Sequence, residues 1–289
     1  MTGPQDTPMG ENALAEKEDI RRLSAVEKLN ARIDAVESLL CVGLDSDLAQ
    51  IPAQFLGQPH PQFAFNRWII DQTHPYVSVY KPNMAFYEAR GADGLRDLEL
   101  TMEYLRTEHP SILTICDAKR GDISSTNIGY VQAIFDQMGF DSVTLNPYLG
   151  GEALQPFFDR KDKGCIILCR TSNAGSGELQ TLIVDGKSFW ELIAEKTRDR
   201  WNKNRNCMLV MGATFPEEIR RVRAIVGDLP LLVPGIGAQG ANLEQTVRFG
   251  MDQNKRGLMI NSSRGIIFSE DPAAAARQLR DVMNDYRRL

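Results

Sequence analysis

The sequence predicts an α/β protein of the single (β/α)₈ TIM-barrel class with an N-terminal helical extension. Two observations carry this. Eight short apolar runs recur from Leu39 onward: LLCVGLD (39–45), YVSVYK (76–81), SILTICDAK (111–119), DSVTLNP (141–147), GCIILCR (164–170), CMLVMGA (207–213), PLLVPG (230–235) and GLMINSS (257–263). Each is near-continuously apolar, as suits a parallel strand buried on both faces, and the segments between them have helical character. An open doubly wound sheet shares this alternation, but a count of eight favours the closed barrel.

Residues 1–16 (MTGPQDTPMGENALAE) are rich in Gly, Pro and polar groups and are expected to form a mobile polar tail. Residues 17–289 are expected to form one barrel domain that includes an N-terminal helix. Ile20, Leu23, Val26, Leu29, Ile33 and Val36 recur at steps of three or four, so this helix could cover a barrel end or an oligomer interface. Between strand runs, residues 96–109 and 217–227 have amphipathic spacing, and Pro216 suits the start of the second helix.

With 289 residues, 43% hydrophobic and 25% charged, the chain can bury an ample core without disulfides or metals. A net charge of −5 argues against a broad nucleic-acid-binding face, yet leaves room for a small anionic ligand held by one Arg and a few backbone N–H groups. Cys41, Cys116, Cys165, Cys169 and Cys207 are odd in number and contain no C-x-x-C pair. Buried free thiols in a reducing compartment are expected. No apolar signal core or membrane-length apolar stretch is present, so a cytoplasmic location is expected.

Candidate chemistry lies where the strand runs end, since barrel enzymes build their sites at the C-terminal ends of the strands. The first run ends in Asp45 and the second in Lys81, while the third leads into Asp117-Ala-Lys119-Arg-Gly-Asp122. The period of two places Asp117 and Lys119 on one side of a strand, with Asp122 in the loop beyond. Such charges could simply close the barrel mouth with salt bridges. In combination, two carboxylates and two ammonium groups stabilise each other's charged forms. A Lys kept protonated this way could give a proton to a carbanion, and the aspartates would favour departure of a neighbouring carboxylate as carbon dioxide.

A second constellation lies near the chain end. Pro234-Gly-Ile-Gly-Ala-Gln239-Gly follows the seventh run, and Asn261-Ser-Ser263-Arg264-Gly follows the eighth. Gly-rich turns let backbone N–H groups converge on an anion, and Arg adds a charged fork of donors. These glycines could instead serve only tight turns. After the fifth run, Arg170-Thr-Ser172-Asn-Ala-Gly175 offers a hydroxyl suited either to reading the polar edge of a ring or to capping a helix.

D-x-K-x-x-D at 117–122, the Lys ending the second run, and the segments KPN (81–83), NPYLGG (146–151), TSNAG (171–175), PGIGAQG (234–240) and NSSRG (261–265) together resemble the orotidine 5'-phosphate decarboxylase family in its longer bacterial form. The resemblance covers about residues 38–270. It implies that Lys119 protonates C6 of the substrate, that Asp117 sits beside the leaving carboxylate, and that Lys81 and Asp45 complete the charged network and bind ribose hydroxyls. It implies a homodimer in which Asp122, Ile123 and Thr126 reach the partner's site. Ser172 would bind the pyrimidine, Pro234 border it, and Asn83 assist near Lys81. Gln239 and Arg264 would hold the phosphate, with Ser263 beside them.

Ala174 departs from a family loop that often carries Pro, which leaves the stiffness of that loop open. The resemblance implies no metal and no cofactor, and His60, His74 and His109 show no ligand spacing. Two other readings compete. One is a magnesium-dependent sugar-phosphate decarboxylase or aldolase of the same barrel superfamily, which tends to carry an acidic residue where Lys81 stands. The other is a non-catalytic sensor of phosphate ligands, which would not need a poised acid. Neither nucleic acid nor membrane is an expected partner.

Overall fold

The computed structural model describes residues 20, 22–236 and 242–289. The expected tail at 1–16 and Gln239 lie outside the described residues. Ten strands form: β1 (Leu40–Gly43), β2 (Val79–Lys81), β3 (Leu113–Arg120), β4 (Ser142–Leu145), β5 (Gly164–Arg170), β6 (Ile183–Val184), β7 (Lys187–Ser188), β8 (Cys207–Met211), β9 (Leu231–Pro234) and β10 (Leu258–Ser262). Eight of them close a parallel barrel in the circular order β1-β2-β3-β4-β5-β8-β9-β10, with β10 pairing back onto β1. These eight coincide with the eight apolar runs. Their side chains are buried almost throughout, because the barrel interior takes one face and the surrounding helices take the other.

The strands begin later than some runs do. Residues 76–78 belong to a run but precede β2, since Pro75 fixes a 3₁₀ turn at His74–Tyr76. Helices match the expected spacing: Gly91–Glu108 buries Leu98, Met102 and Leu105, and Pro216–Val226 starts at its proline. Gly227, at φ 65, ends the latter helix in a conformation that a side chain would disfavour.

Within the apolar pattern the helix Ala25–Val36 forms, and Ile20 and Arg22 ahead of it are also helical, with a break at Leu23–Ser24. Ser24 and Glu27 form a capping box, which sets the start and leaves Ile20 and Leu23 ahead of it. Its buried face is Ala25, Leu29 and Ile33, so only two of the six expected positions are fully covered. Of the two placements left open by the sequence, this helix takes the barrel end. Ala25 N–H donates to Asp162 O at 3.0 Å, Lys28 pairs with Asp141 at 2.8 Å, and Arg32 Nε donates to Val77 O at 3.1 Å. Those partners just precede β5, β4 and β2, at the end opposite the catalytic candidates.

The β6–β7 hairpin was not anticipated. It is antiparallel and turns at Asp185 and Gly186, both with positive φ. That Asp-Gly pair is a recognised hairpin signal, present in the sequence between Val184 and Lys187. All five cysteines are buried and free. Among the described residues, no helix is long and apolar enough to cross a membrane.

Candidate active site

The barrel places β1, β2 and β3 side by side, with Gly43 in register with Lys81 and Val79 with Leu113. Neighbouring parallel strands therefore end at similar heights and bring their terminal charges together. Lys81 Nζ donates to Asp117 Oδ2 at 3.0 Å, and Lys119 Nζ donates to Asp117 Oδ1 at 2.6 Å. Thr144 Oγ1, from β4, also donates to Asp117 Oδ1, at 3.0 Å. The Asp117 amide donates to Pro82 O at 3.0 Å, which ties the carboxylate to the end of β2. Asp45, beyond β1, adds its field to that of Asp117 on Lys81. The order is Asp45, Lys81, Asp117, Lys119, with alternating sign.

Burial alone would drive Lys81 toward neutrality. Asp117, and then Asp45, outweigh it and hold the ammonium well above the usual lysine range. Burial would likewise protonate Asp117, but Lys81 and Lys119 hold its carboxyl well below the usual range. The buried Cys41 thiol, pushed up to about 12 by desolvation, stays neutral beneath this array and donates to Asn261 Oδ1 at 3.4 Å.

The two ammonium groups differ in access. The Lys81 side chain is 5% exposed and that of Lys119 is 50% exposed, so Lys119 is the more open of the two. The simple period of two expected across Asp117 and Lys119 is interrupted. The β3–β4 register shifts between Cys116 and Arg120, and Lys119 takes φ 48. A non-glycine residue in this left-handed region costs about 1–2 kcal/mol. Its amide is anchored there by a 2.9 Å bond to Thr144 Oγ1.

A cavity of about 430 Å³ opens on this array. Lys81, Asp117, Lys119 and Thr144 form its polar wall, and Leu168, Val210, Leu232 and Pro234 form an apolar wall opposite. Ser172 stands at the rim with Thr171, Asn173 and Gln180. Ser172 is no helix cap: the short 3₁₀ turn Ala174–Ser176 starts after Asn173 instead. Gly235, at φ 102, opens the turn after β9, and a Cβ there would lie 3.5 Å from Ser172 Oγ. The loops after β5 and β9 thus approach one another over the cavity.

The other described candidates, Asp45 among them, do not line this cavity. Asn83 caps the helix Met84–Glu88 through Ala85 N–H, and bridges to Asp117 through backbone. Ser263 and Arg264 follow β10, with Ser263 Oγ accepting from Asn261 Nδ2 at 3.3 Å and Arg264 exposed at the start of the helix Arg264–Ile267. Asp122 turns back on its own loop, its Oδ1 accepting from Ile123 N–H at 2.7 Å. Ile123 and Thr126 are exposed on the surface.

Two contributors escaped the sequence reading. Thr144 was visible as a polar residue inside an apolar strand run, at a spacing of two from Ser142. Gln180 accepts from Thr171 N–H and donates to Thr171 Oγ1, both at 2.9 Å, and so braces the loop that carries Ser172. Among the described residues, no group of three or more His, Cys, Asp or Glu is arranged to hold a metal ion.

Fold and site define a class first: a (β/α)₈-barrel enzyme whose site is a preformed chain of buried charges facing an apolar wall. The comparisons then narrow it. The model of the orotidine 5'-phosphate decarboxylase / HUMPS family matches residues 38–279, and the chain belongs to that family. An orotidine 5'-phosphate decarboxylase from Janthinobacterium sp. (strain Marseille) is 46% identical over 271 residues, covering 91% of this chain and 99% of the relative. The solved structure of Leishmania donovani OMP decarboxylase has a TM-score of 0.82 at 38% identity, covering 92% of this chain and 100% of that one. Leishmania donovani UMP synthase has a TM-score of 0.85 at 39% identity, covering 92% of this chain but 57% of its own.

The charge chain makes acid stability a test of the array. Because the folded Asp117 pKa is depressed, its ionisation stabilises the native state above the unfolded carboxylate value, near about 3.9. That contribution is lost as pH falls through the lower folded value. Lys81→Met removes the chief opposing cation, raises the folded Asp117 value and moves the loss to higher pH. Acid unfolding followed by circular dichroism should show an upward shift of the midpoint; coincident curves would mean that Lys81 does not sustain the carboxylate.

Proposed function

We propose that this chain converts orotidine 5'-phosphate to uridine 5'-phosphate and carbon dioxide, using the charges of its own side chains. The observation that carries this reading is the half-exposed Lys119 ammonium held 2.6 Å from a buried, ionised Asp117 on the wall of the cavity. A substrate carboxylate beside Asp117 meets a like charge in a poorly solvated place. Loss of carbon dioxide breaks the bond to C6, and the electron pair stays on that carbon. Lys119 stabilises the developing negative charge and then transfers its proton to C6.

The apolar wall suits the faces of a pyrimidine, Ser172 its polar edge, and Pro234 its border. Asp45 and Lys81 take ribose hydroxyls, with Asn83 alongside Lys81. Arg264, Ser263 and Gln239 take the phosphate. A sugar-phosphate lyase of the same family that relies on a divalent cation is the less fitting reading, because the buried Lys81 charge would repel that ion. Buried free thiols support a reducing, cytoplasmic setting.

The partner in this reading is a second copy of the chain. Ile123 and Ile128 are 57% and 52% exposed, and Tyr148 is 80% exposed, so this side of the barrel presents apolar surface. A symmetric pair would let Asp122, Ile123 and Thr126 serve the neighbour's site.

Three outcomes are expected. Lys119→Ala should nearly abolish turnover in chelator-treated buffer, measured by the loss of substrate absorbance, while uridine 5'-phosphate still binds. Activity within about tenfold of wild type would remove Lys119 from the role of proton donor. Arg264→Ala should raise KM by orders of magnitude with the loss of a charge-assisted contact; an unchanged KM moves the phosphate site elsewhere. Finally, mixing inactive Lys119→Ala and Asp122→Ala proteins should restore about a quarter of wild-type activity, since each mixed dimer contains one intact site. No recovery would mean that Asp122 acts within its own chain.

A further inference from the structure

Asp45 has an unusual setting for a residue asked to read a ligand. Its Oδ1 is buried and has no hydrogen-bond partner among the described residues. With no hydrogen bond at that oxygen to aim it, the carboxylate depends on its backbone, and the backbone on both sides of it is held. Tyr87 OH donates to Leu44 O at 2.8 Å, just before Asp45, and Gln62 Nε2 donates to Ser46 O at 2.6 Å, just after it.

The two clamping side chains come from different helices, Tyr87 from Met84–Glu88 and Gln62 from Pro61–Thr73. They are cross-braced. Asn66 Nδ2 donates to Tyr87 OH at 2.9 Å, and Ser46 Oγ donates to Asn66 Oδ1. Arg90 Nη1 donates to Gln62 Oε1 at 2.8 Å, which orients the amide so that its NH₂ faces Ser46 O and Phe86 O. Tyr87, Gln62 and Asn66 are all fully buried. In a low-dielectric interior, such a satisfied network fixes geometry more firmly than exposed bonds could.

We propose that Tyr87 and Gln62 are positioning residues that act through Asp45, holding its carboxylate where it accepts from one ribose hydroxyl of the nucleotide. The inference rests on the nucleotide reading given above. Neither residue touches the cavity, and each bears on binding only by setting the Leu44–Ser46 backbone.

The test is calorimetric binding of uridine 5'-phosphate, its 2'-deoxy analogue and its 3'-deoxy analogue. The proteins are wild type, Asp45→Asn, Tyr87→Phe, Gln62→Met and the double variant Asp45→Asn/Tyr87→Phe, with folding checked by thermal melts. Wild type should lose about tenfold or more in affinity when the hydroxyl read by the carboxylate is missing, as expected for a bond to a charged group. Asp45→Asn should shrink that penalty to within about threefold and so identify the hydroxyl. Tyr87→Phe and Gln62→Met should each shrink the same penalty and leave the other analogue's ratio unchanged, and the double variant should shrink it no further.

If Asp45→Asn loses the penalty while both clamp variants keep it, the positioning role is overturned and the nucleotide reading stands. If the clamp variants weaken all three nucleotides by one common factor, the network is only structural and the inference also falls. If Asp45→Asn itself keeps the full penalty for both analogues, the ribose assignment of Asp45 fails, and the clamp inference fails with it. Should one clamp variant not fold, the other decides, since each breaks a different carbonyl contact.

Discussion

The ammonium of Lys81, shut inside the barrel, is the constraint on which the site depends. Removing such an ion from water costs several kcal/mol even after relaxation. One opposing charge about 4 Å away returns roughly 4 kcal/mol at an effective dielectric near 20, which scarcely covers that cost. A second carboxylate is therefore needed, and Asp45 supplies it. Asp117 has the same difficulty with reversed sign, and Lys81 and then Lys119 resolve it. Lys81 meets Asp117 across adjacent strands, while Lys119 meets it along β3, so the array depends on strand register and on the irregular end of β3. A sheet that separated β1, β2 and β3 would leave isolated buried charges.

The end of the array at Lys119 shows what that arrangement demands of the backbone. A residue in the left-handed region interrupts β3 where a regular strand would continue pairing with β4. Thr144 compensates twice, accepting from the Lys119 amide and donating to the Asp117 carboxylate. One hydroxyl thereby couples the irregular backbone to the charge it presents. Backbone strain of this kind persists only where surrounding contacts over-determine it, and it concentrates at functional sites.

What the sequence made legible follows from the range of the interactions. Parallel strands buried on both faces produce continuous apolar runs, so eight strands could be counted before any tertiary contact was known. Asp45, Lys81 and Asp117 stood out because charges of both signs gathered at the ends of neighbouring apolar runs, although salt bridges closing the barrel mouth would leave the same trace. The break in the N-terminal helical pattern was missed because the Ser24–Glu27 capping box restarts the helix where the apolar spacing runs on. Thr144 and the Tyr87–Gln62 clamp were illegible for a different reason. Their partners lie 27 residues away for Thr144 and Asp117, 43 for Tyr87 and Leu44, and 16 for Gln62 and Ser46, and no local pattern encodes such pairings.

The two walls of the cavity also explain why charges alone would not suffice. Electrostatic interactions scale inversely with the local dielectric, and water in the cavity would weaken the field that Asp117 and Lys119 exert on anything bound there. Leu168, Val210, Leu232 and Pro234 contribute no charge, yet they occupy the side from which water would otherwise solvate the array. Strands β5, β8 and β9 supply this wall, and β2, β3 and β4 supply the polar one, so barrel closure brings together two surfaces far apart in sequence. Ser172, in the loop after β5, and Gly235, just beyond β9, come together at the rim between them. A ligand that fills this space takes the place of water against both walls, and every charge interaction there gains from the lower dielectric.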